Sequence, residues 1–155
     1  MTVAHIAEVN HWRGQCLDNF ARVECAVIDF VERWRTAAPA TAPKLAETAS
    51  ARSRNVVTSL RKHALNDPKA KQALKLLELW SHRERDRNDL VHGIFTVKSA
   101  GGSWTLINRT TLVKSQVITA RDDLRSAAEA EAFLKAIIGE RKEIEGALSG
   151  IQSFA

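Results

Sequence analysis

Residues 3–34 read VAHIAEVNHWRGQCLDNFARVECAVIDFVERW, and this stretch decides the fold class. Its apolar residues recur at steps of three or four positions, which gathers them on one face of an α-helix. They are Ile6, Val9, Trp12, Cys16, Phe20, Val23, Val27, Phe30, Val31 and Trp34. The stretch therefore predicts one long amphipathic helix whose apolar face must be covered by other elements.

Two more helices are predicted after a proline-containing loop. Residues 36–43 include two prolines, which lack backbone donors and favour extended conformations before them. Residues 44–65 carry a thinner apolar stripe and favour a second helix. Residues 68–92 form the third predicted helix, because Asp67 can cap its first amides and Pro68 suits the first helical position.

A glycine-containing segment after the third helix predicts a change from helix to strand. Gly93 is expected to end the helix in a left-handed conformation, which glycine adopts without steric cost. Residues 94–98 and 104–108 are two alternating runs of β-branched or aromatic residues, separated by a turn with two glycines. This pattern predicts a β-hairpin, to which residues 112–118 could add a third strand. A lone hairpin is marginal in water, so it is expected to pack on helices or on a partner.

The last predicted helix covers residues 119–151. Thr119 and Asp122 resemble a helix start with an acidic first turn. Four amphipathic helices each need a partner, and a compact antiparallel bundle is the simplest arrangement that buries all their stripes. The sequence thus predicts one mainly α domain over residues 1–155, an antiparallel four-helix bundle with a β-hairpin inserted at about 94–110 between helices three and four.

Length and composition favour a globular protein in the cytoplasm. The chain has 155 residues, of which 45% are hydrophobic and 26% are charged. No apolar run in the sequence approaches the roughly 20 residues that a membrane-spanning helix needs. Residues 1–10 lack the cationic start and the apolar block of a secretory signal. We therefore expect a cytoplasmic protein with no membrane partner.

The two cysteines and the other possible ligands bear on the redox compartment and on metal binding. Cys16 and Cys25 lie in the first predicted helix on opposite faces and more than two turns apart, so they cannot bridge within it. Their low number and apolar neighbours predict buried thiols in a reducing compartment. The sequence offers no convincing set of Cys, His or carboxylate ligands, so we expect no metal and no cofactor.

A net charge of +5 favours phosphate-rich partners such as RNA, although a basic protein need not bind nucleic acid. The basic residues between positions 52 and 75 could form a path for RNA or could be distributed solubilising charge, and the sequence leaves both readings open. They are Arg52, Arg54, Arg61, Lys62, Lys69, Lys71 and Lys75.

Polar residues enter the apolar stripe near the end of the third predicted helix. The stripe beyond Trp80 continues through Glu84, then Arg87 and Asn88, and then Val91. Asn88 and His92 are also neighbours one turn apart. Burying charge is costly unless partners or a polar cleft compensate, so the pattern predicts a functional cleft or a special pairing. Histidine transfers protons near neutral pH and arginine holds phosphate through parallel hydrogen bonds, which are requirements of phosphodiester cleavage.

The run Arg87-Asn88-Asp89-Leu90-Val91-His92-Gly93 resembles the signature of the HEPN superfamily, an arginine followed by a polar residue and then by a histidine. Members of that family are helical bundles, many are ribonucleases, and many are dimers. The resemblance implies a metal-independent endoribonuclease in which the 2′-hydroxyl of RNA attacks the adjacent phosphate. It also implies a toxin or defence protein with an antitoxin-like partner as one biological setting.

By the same resemblance, His92 would move protons, Arg87 would stabilise the charge of the transition state and Asn88 would orient one of them. Arg83, Arg85 and Glu84 complete the predicted substrate-binding set. One histidine cannot be acid and base at the same instant, so a twofold homodimer is expected to join two helix ends in one composite site.

A structural reading of the same residues competes with the catalytic one. Arg83 and Arg85 can belong to a solvated, salt-bridged helix face, and His92 can be a favourable cation at a helix end. The alternative function is then a non-catalytic helical module that binds a protein partner or RNA. Trp104 leaves two uses open, stacking on a base or a partner and packing against the helices.

Overall fold

The computed structural model describes residues 3–63 and 66–154. Its elements are α1 (Val3–Ala37), α2 (Ala49–His63), α3 (Pro68–Trp80), a 3-10 turn (Ser81–Arg83), α4 (Glu84–His92), β1 (Ile94–Ala100), β2 (Ser103–Lys114), β3 (Val117–Ser126) and α5 (Ala127–Gly150). These residues divide into two compact units. The sheet unit contains the described chain up to Asp18 together with Arg85–Ile137, and the helical unit contains the rest.

The predicted four-helix bundle with an inserted hairpin is wrong. The described residues form five α-helices and a three-stranded antiparallel sheet of order β1-β2-β3, with the whole sheet between α4 and α5. Residues 119–122, predicted to begin the last helix, lie inside β3. Helix α5 begins at Ala127 instead, after Ser126 and Glu129 cap each other: the Ser126 amide donates to Glu129 Oε2 (2.7 Å) and the Glu129 amide to Ser126 Oγ (3.2 Å).

Two tight turns connect the strands. Between β1 and β2, Gly101 and Gly102 have φ of 57° and 77°, the pair of positive values that a type I′ hairpin turn requires. Between β2 and β3, Ser115 and Gln116 adopt φ of 50° and 65° without the help of glycine. The hairpin predicted from residues 94–108 is therefore present, and it continues into a third strand that starts five residues later than the one considered at 112.

The sheet has one covered face. Residues that face each other across antiparallel strands share a face, and the register pairs Val97 with Leu106 and Phe95 with Asn108. Val97, Leu106 and Asn108 are buried. Trp104 lies on the same face, is buried, and donates from Nε1 to Glu8 Oε2 on α1 (2.9 Å). Of the two alternatives for Trp104, the structure shows packing against the helices.

The helical unit has an apolar core of conventional composition. Phe20 and Trp80 have ring centroids 5.1 Å apart, and Phe30 and Trp34 5.5 Å apart. Trp34 and Trp80 are buried here and Trp12 is buried in the sheet unit, in agreement with the places of all three on the predicted apolar stripes. No helix of the described residues is long and apolar enough to cross a membrane.

Helix boundaries agree with the sequence in part. Asp67 caps α3 as predicted, accepting from the amides of Lys69 (2.7 Å) and Ala70 (3.3 Å). Helix α2 begins at Ala49, five residues after the predicted start at residue 44, and the predicted end at residues 64 and 65 lies outside the described residues.

The predicted third helix is broken into α3 and α4 by the 3-10 turn. Ser81 Oγ donates to the Glu78 carbonyl oxygen (2.6 Å), so a side chain competes for the helix backbone at the break. A 3-10 helix turns about 120° per residue against about 100° in an α-helix, so three residues advance the pattern by about 60°. Consistent with this shift, Leu90 is buried and Val91 is exposed, the reverse of the predicted stripe.

Two smaller expectations are also corrected. Cys16 is buried as predicted, but Cys25 is exposed. Gly93 does not adopt a left-handed conformation, since the positive-φ glycines of the described residues are Gly101 and Gly102. Glycine is needed at this position for a steric reason, the close approach of Asn108 on β2.

Candidate functional site

Helix α4 carries the candidate motif and belongs, from Arg85 onward, to the sheet unit. Leu90 is buried, and Asp86 and Asp89 are half-buried. Asn88 and His92 are exposed, as the 3.6-residue period requires for positions on the opposite side of the helix. We call the side that bears Asn88, Val91 and His92 the outward face of α4.

Two aspartates fix the opposite side of α4 to the sheet unit. The Asp89 carboxylate accepts a hydrogen bond from Thr110 Oγ1 (3.3 Å) and pairs with Arg121, which is on β3. Asp86 pairs with Arg125 (3.5 Å), and the guanidinium of Arg125 lies 4.2 Å from the ring centroid of Phe133. These contacts set the rotation of α4 about its own axis and thereby which side chains point outward.

The end of α4 is held by a close approach of strand β2. Asn108 Nδ2 donates to the Asp89 carbonyl oxygen (3.0 Å), which also accepts from the Gly93 amide (2.9 Å). A Cβ atom at Gly93 would overlap Asn108 Oδ1 and the Asp89 carbonyl oxygen. Glycine is therefore required here because β2 passes directly against the backbone, and not because of a left-handed turn.

Arg13 of α1 covers the carbonyl end of α4. Its Nε donates to the Leu90 carbonyl oxygen (2.7 Å) and its Nη2 to that of Val91 (3.1 Å), while its guanidinium lies 4.5 Å from the ring centroid of Phe95. The C-terminal end of a helix carries a partial negative charge that disfavours phosphate. The guanidinium of Arg13, bound to the carbonyl of Val91 directly before His92, offsets that charge.

The predicted catalytic residues occur together on α4. Arg87 is half-buried and its Nη1 donates to Asn88 Oδ1 (3.4 Å). Asn88 and His92 are exposed one turn apart, so an amide and an imidazole stand on the outward face. Five positions separate Arg87 from His92, which places their Cα–Cβ directions about 140° apart around the helix. His92 therefore lies on the outward face, and Arg87 lies to one side of that face.

The predicted substrate-binding residues are divided between the units. Arg83 belongs to the helical unit, where its guanidinium makes two hydrogen bonds to Glu140 on α5 (2.6 and 3.1 Å). Glu84 belongs to the same unit and lines a groove of about 530 Å³ between α2 and α3. Arg85 is exposed in the sheet unit, the same unit as Arg87, Asn88 and His92.

The remaining candidates for chemistry are limited. Among residues 3–63 and 66–154, no group of three or more His, Cys, Asp or Glu side chains is placed to hold a metal ion. Burial raises the pKa of Cys16 to about 12, while the charge of Arg125 lowers it and that of Asp86 raises it. The Cys16 thiol is therefore protonated at neutral pH and is a poor nucleophile.

Sequence reasoning missed the residues that hold α4 in place. Arg13, Asn108, Thr110 and Arg121 are all distant from the motif along the chain, and no local spacing links them to it. One signal was present: Asn108 stands two positions after Leu106 in a predicted strand and so shares its apolar face, where a polar side chain needs a partner.

No protein-family model, no curated protein and no solved structure matches this chain. The resemblance of the α4 motif to the HEPN signature consequently rests on the motif residues themselves.

Proposed function

We propose that this chain is a metal-independent endoribonuclease whose reacting groups are Arg87, Asn88 and His92. The observation that carries the proposal is the outward face of α4, where an imidazole and an amide are exposed beside an arginine while Asp89 anchors the opposite side. A helix end fixed in this way offers reacting groups in a constant geometry, which proton transfer requires.

The proposed reaction needs only groups of this chain and the RNA. The 2′-oxygen forms a bond to the adjacent phosphorus, its proton passes to an imidazole, and the bond to the leaving 5′-oxygen breaks as that oxygen takes up a proton. Arg87 stabilises the negative charge on the phosphoryl oxygens, and Asn88 orients His92 or the phosphate. The products are a 2′,3′-cyclic phosphate and a 5′-hydroxyl end.

A second copy of the chain supplies the second imidazole. One His92 cannot accept and donate protons in the same step, whereas two copies related by a twofold axis bring two histidines and two arginines together. Val91 lies on the outward face with 39% of its surface exposed and supports such a contact as an apolar side chain between polar ones. The attraction for RNA comes from Arg13, from exposed Arg85 and from the net charge of +5.

Incubation of the purified protein with a structured RNA in EDTA tests the proposal. Arg87→Ala and His92→Ala are expected to lose cleavage by a factor of about 100 or more, since each removes a group that acts in the transition state. His82→Ala is the matched control, because it removes another exposed histidine that lies in the 3-10 turn outside the proposed site. Circular dichroism of all variants establishes that each is folded.

The products and a mixing experiment complete the test. Cleavage must yield 2′,3′-cyclic phosphate ends and must stop when the 2′-hydroxyl at the cut position is replaced by hydrogen. Mixing an excess of the His92→Ala protein with the wild type should lower the activity of the wild type, because a mixed pair has only one of the two imidazoles that the reaction needs. Cleavage that persists in both variants would refute the assignment, and intact RNA across several substrates would favour the non-catalytic module that binds RNA or a protein.

A further inference from the structure

The sheet has a second face that is open to solvent. Residues on this outer face alternate along each strand with the buried residues of the covered face. Four of its aliphatic side chains are largely exposed: Ile94 (69%), Val113 (70%), Ile118 (72%) and Leu124 (61%). Isolated exposed aliphatics are common, but four on one face of a three-stranded sheet exceed that background and indicate an interaction site.

Part of this face belongs to a two-stranded ribbon. Strand β1 ends its pairing with β2 at Arg109, so residues 110–114 of β2 continue with residues 117–121 of β3. Val113 and Ile118 face each other near the tip of this ribbon. A two-stranded hairpin is marginal in water unless another surface covers it. A second surface packed on the outer face would therefore stabilise the ribbon.

The chemistry of the outer face favours a protein partner. Both aromatic residues of the strands, Phe95 and Trp104, lie on the covered face, so the outer face offers no ring for stacking on a base. Arg109 and Asp122 face each other across β2 and β3 and form a bidentate ion pair (2.8 and 2.7 Å). With this pair neutralised, Lys98 is the remaining cation on the outer face of the strands, and one cation does not form a track along a phosphate backbone.

We propose that the outer face docks on the same face of a second copy of this chain. The Arg109–Asp122 pair has no net charge but presents one positive and one negative group. A twofold axis therefore places the arginine of one copy against the aspartate of the other. The aliphatic side chains on both sides of the pair then pack against their counterparts, as in two stacked sheets.

The size of the face agrees with this partner. Strand β2 has 12 residues and is about 40 Å long, and three strands about 4.8 Å apart give a face on the order of 500 Å² in projection. Accessible surface exceeds projected area because side chains stand out from the sheet. The face therefore approaches the roughly 800 Å² per partner of a standard interface.

This contact is separate from the proposed ribonuclease site. Asp89 of α4 bonds to Thr110 and Arg121, whose side chains lie on the covered face of the sheet. Docking through the outer face consequently leaves the two α4 helices on far sides of the stacked sheets. Loss of this contact and loss of RNA cleavage are therefore expected to be independent of each other.

Sedimentation velocity over a range of protein concentrations tests the proposal. The Ile118→Glu and Leu124→Glu variants should each halve the mass of the assembly that the wild type forms, raising the dissociation constant by about 100-fold or more, because an unpaired carboxylate would be buried. Leu79→Glu is the matched control: Leu79 is an exposed aliphatic residue of α3 in the helical unit, and its variant should keep the wild-type mass. Circular dichroism confirms that each variant is folded.

A second pair of variants tests the charge argument. Asp122→Arg places like charges together and should dissociate the assembly, and the double variant Arg109→Asp with Asp122→Arg should restore it. A wild type that stays at 17.2 kDa at every concentration, or outer-face variants with the wild-type mass, would overturn the proposal. A monomeric wild type whose RNA binding falls in the outer-face variants would assign the face to RNA instead.

Discussion

Asp89 is the residue on which the orientation of α4 depends most. Its side chain bonds to Thr110 and Arg121, and its carbonyl oxygen accepts hydrogen bonds from Asn108 and Gly93. Each of these groups would be costly to leave unpaired where it is half-buried or buried. Asp89 thus anchors α4 from the middle of the motif, and Asn88 and His92 on the opposite side of the helix remain exposed.

The requirement for glycine at position 93 gives a stability prediction. Gly93→Ala should destabilise the protein by about 3 kcal/mol, at the upper end of the range for overpacking, because the new methyl group overlaps both a backbone oxygen and the Asn108 side chain. Gly14→Ala is the control: nothing lies within 4 Å of its Cβ position, and alanine favours the α1 helix by about 1 kcal/mol.

Urea unfolding of both variants checks this expectation. The Gly93→Ala midpoint should fall and the Gly14→Ala midpoint should stay or rise. Equal stability of Gly93→Ala and the wild type would mean that strand β2 does not pass as close to α4 as the structure places it.

The capping of α5 is the clearest prediction at the level of an element. Ser126→Ala should cost about 1 kcal/mol, as is typical for the loss of a helix N-cap. Hydrogen bonds from the backbone amide and then from the hydroxyl of Ser126 lower the pKa of Glu129 from its ordinary value of 4.5. The folded state thus favours the ionised carboxylate. The Glu129 carboxylate therefore stabilises the folded protein fully above the ordinary pKa of glutamate. This stabilisation is lost as the pH falls through the lower pKa that Glu129 has in the folded protein.

Thermal unfolding at two pH values tests the sign of this effect. Glu129→Gln should destabilise the protein at pH 7, and the difference from the wild type should shrink in acid below the ordinary pKa of glutamate. Glu131→Gln, which changes another exposed glutamate of α5 and leaves the contacts between Ser126 and Glu129 in place, is the matched control. A Glu129→Gln effect that is the same at both pH values would exclude the carboxylate charge as its cause.

Helix periodicity and capping predicted those elements whose sequence signals lie within a few residues of each other. The period of α1 and the Asp67–Pro68 start of α3 were both found from sequence, because helix periodicity and capping act within a few residues. Strand β3 was missed since its turn at Ser115 and Gln116 has positive φ without glycine or asparagine, the residues that mark such turns. Without a recognisable turn before it, Thr119 has the sequence context of a helix cap.

The candidate site was predictable only in its linear part. The positions of Asn88 and His92 on one helix followed from their spacing, but which side of α4 faces outward depended on the break at residues 81–83. The anchors of that helix come from α1, β2 and β3, and pairing between such distant positions leaves no periodic trace in one sequence. The split of Arg83 and Glu84 from the rest of the motif followed from the same break.

The net charge of the molecule predicts how its affinity for RNA depends on salt, and this dependence does not require catalysis. A net charge of +5 attracts a polyanion, and a protein that neutralises phosphates releases their counterions on binding. With the folded His92→Ala variant, which binds without cutting, the logarithm of the association constant for single-stranded RNA should fall with the logarithm of salt concentration. The slope should be about −2 or steeper, which corresponds to about three phosphates.

Arg85 decides whether α4 takes part in this attraction. Its guanidinium is exposed in the sheet unit, so Arg85→Ala in the His92→Ala background should make the slope less steep by about 0.7, the value for one phosphate contact. Lys142→Ala, at an exposed position of α5, is the matched loss of one positive charge and should leave the slope unchanged. If both substitutions reduce the slope equally, RNA is attracted by net charge alone. If only Arg85→Ala reduces it, the phosphate backbone passes along the helix that carries Asn88 and His92.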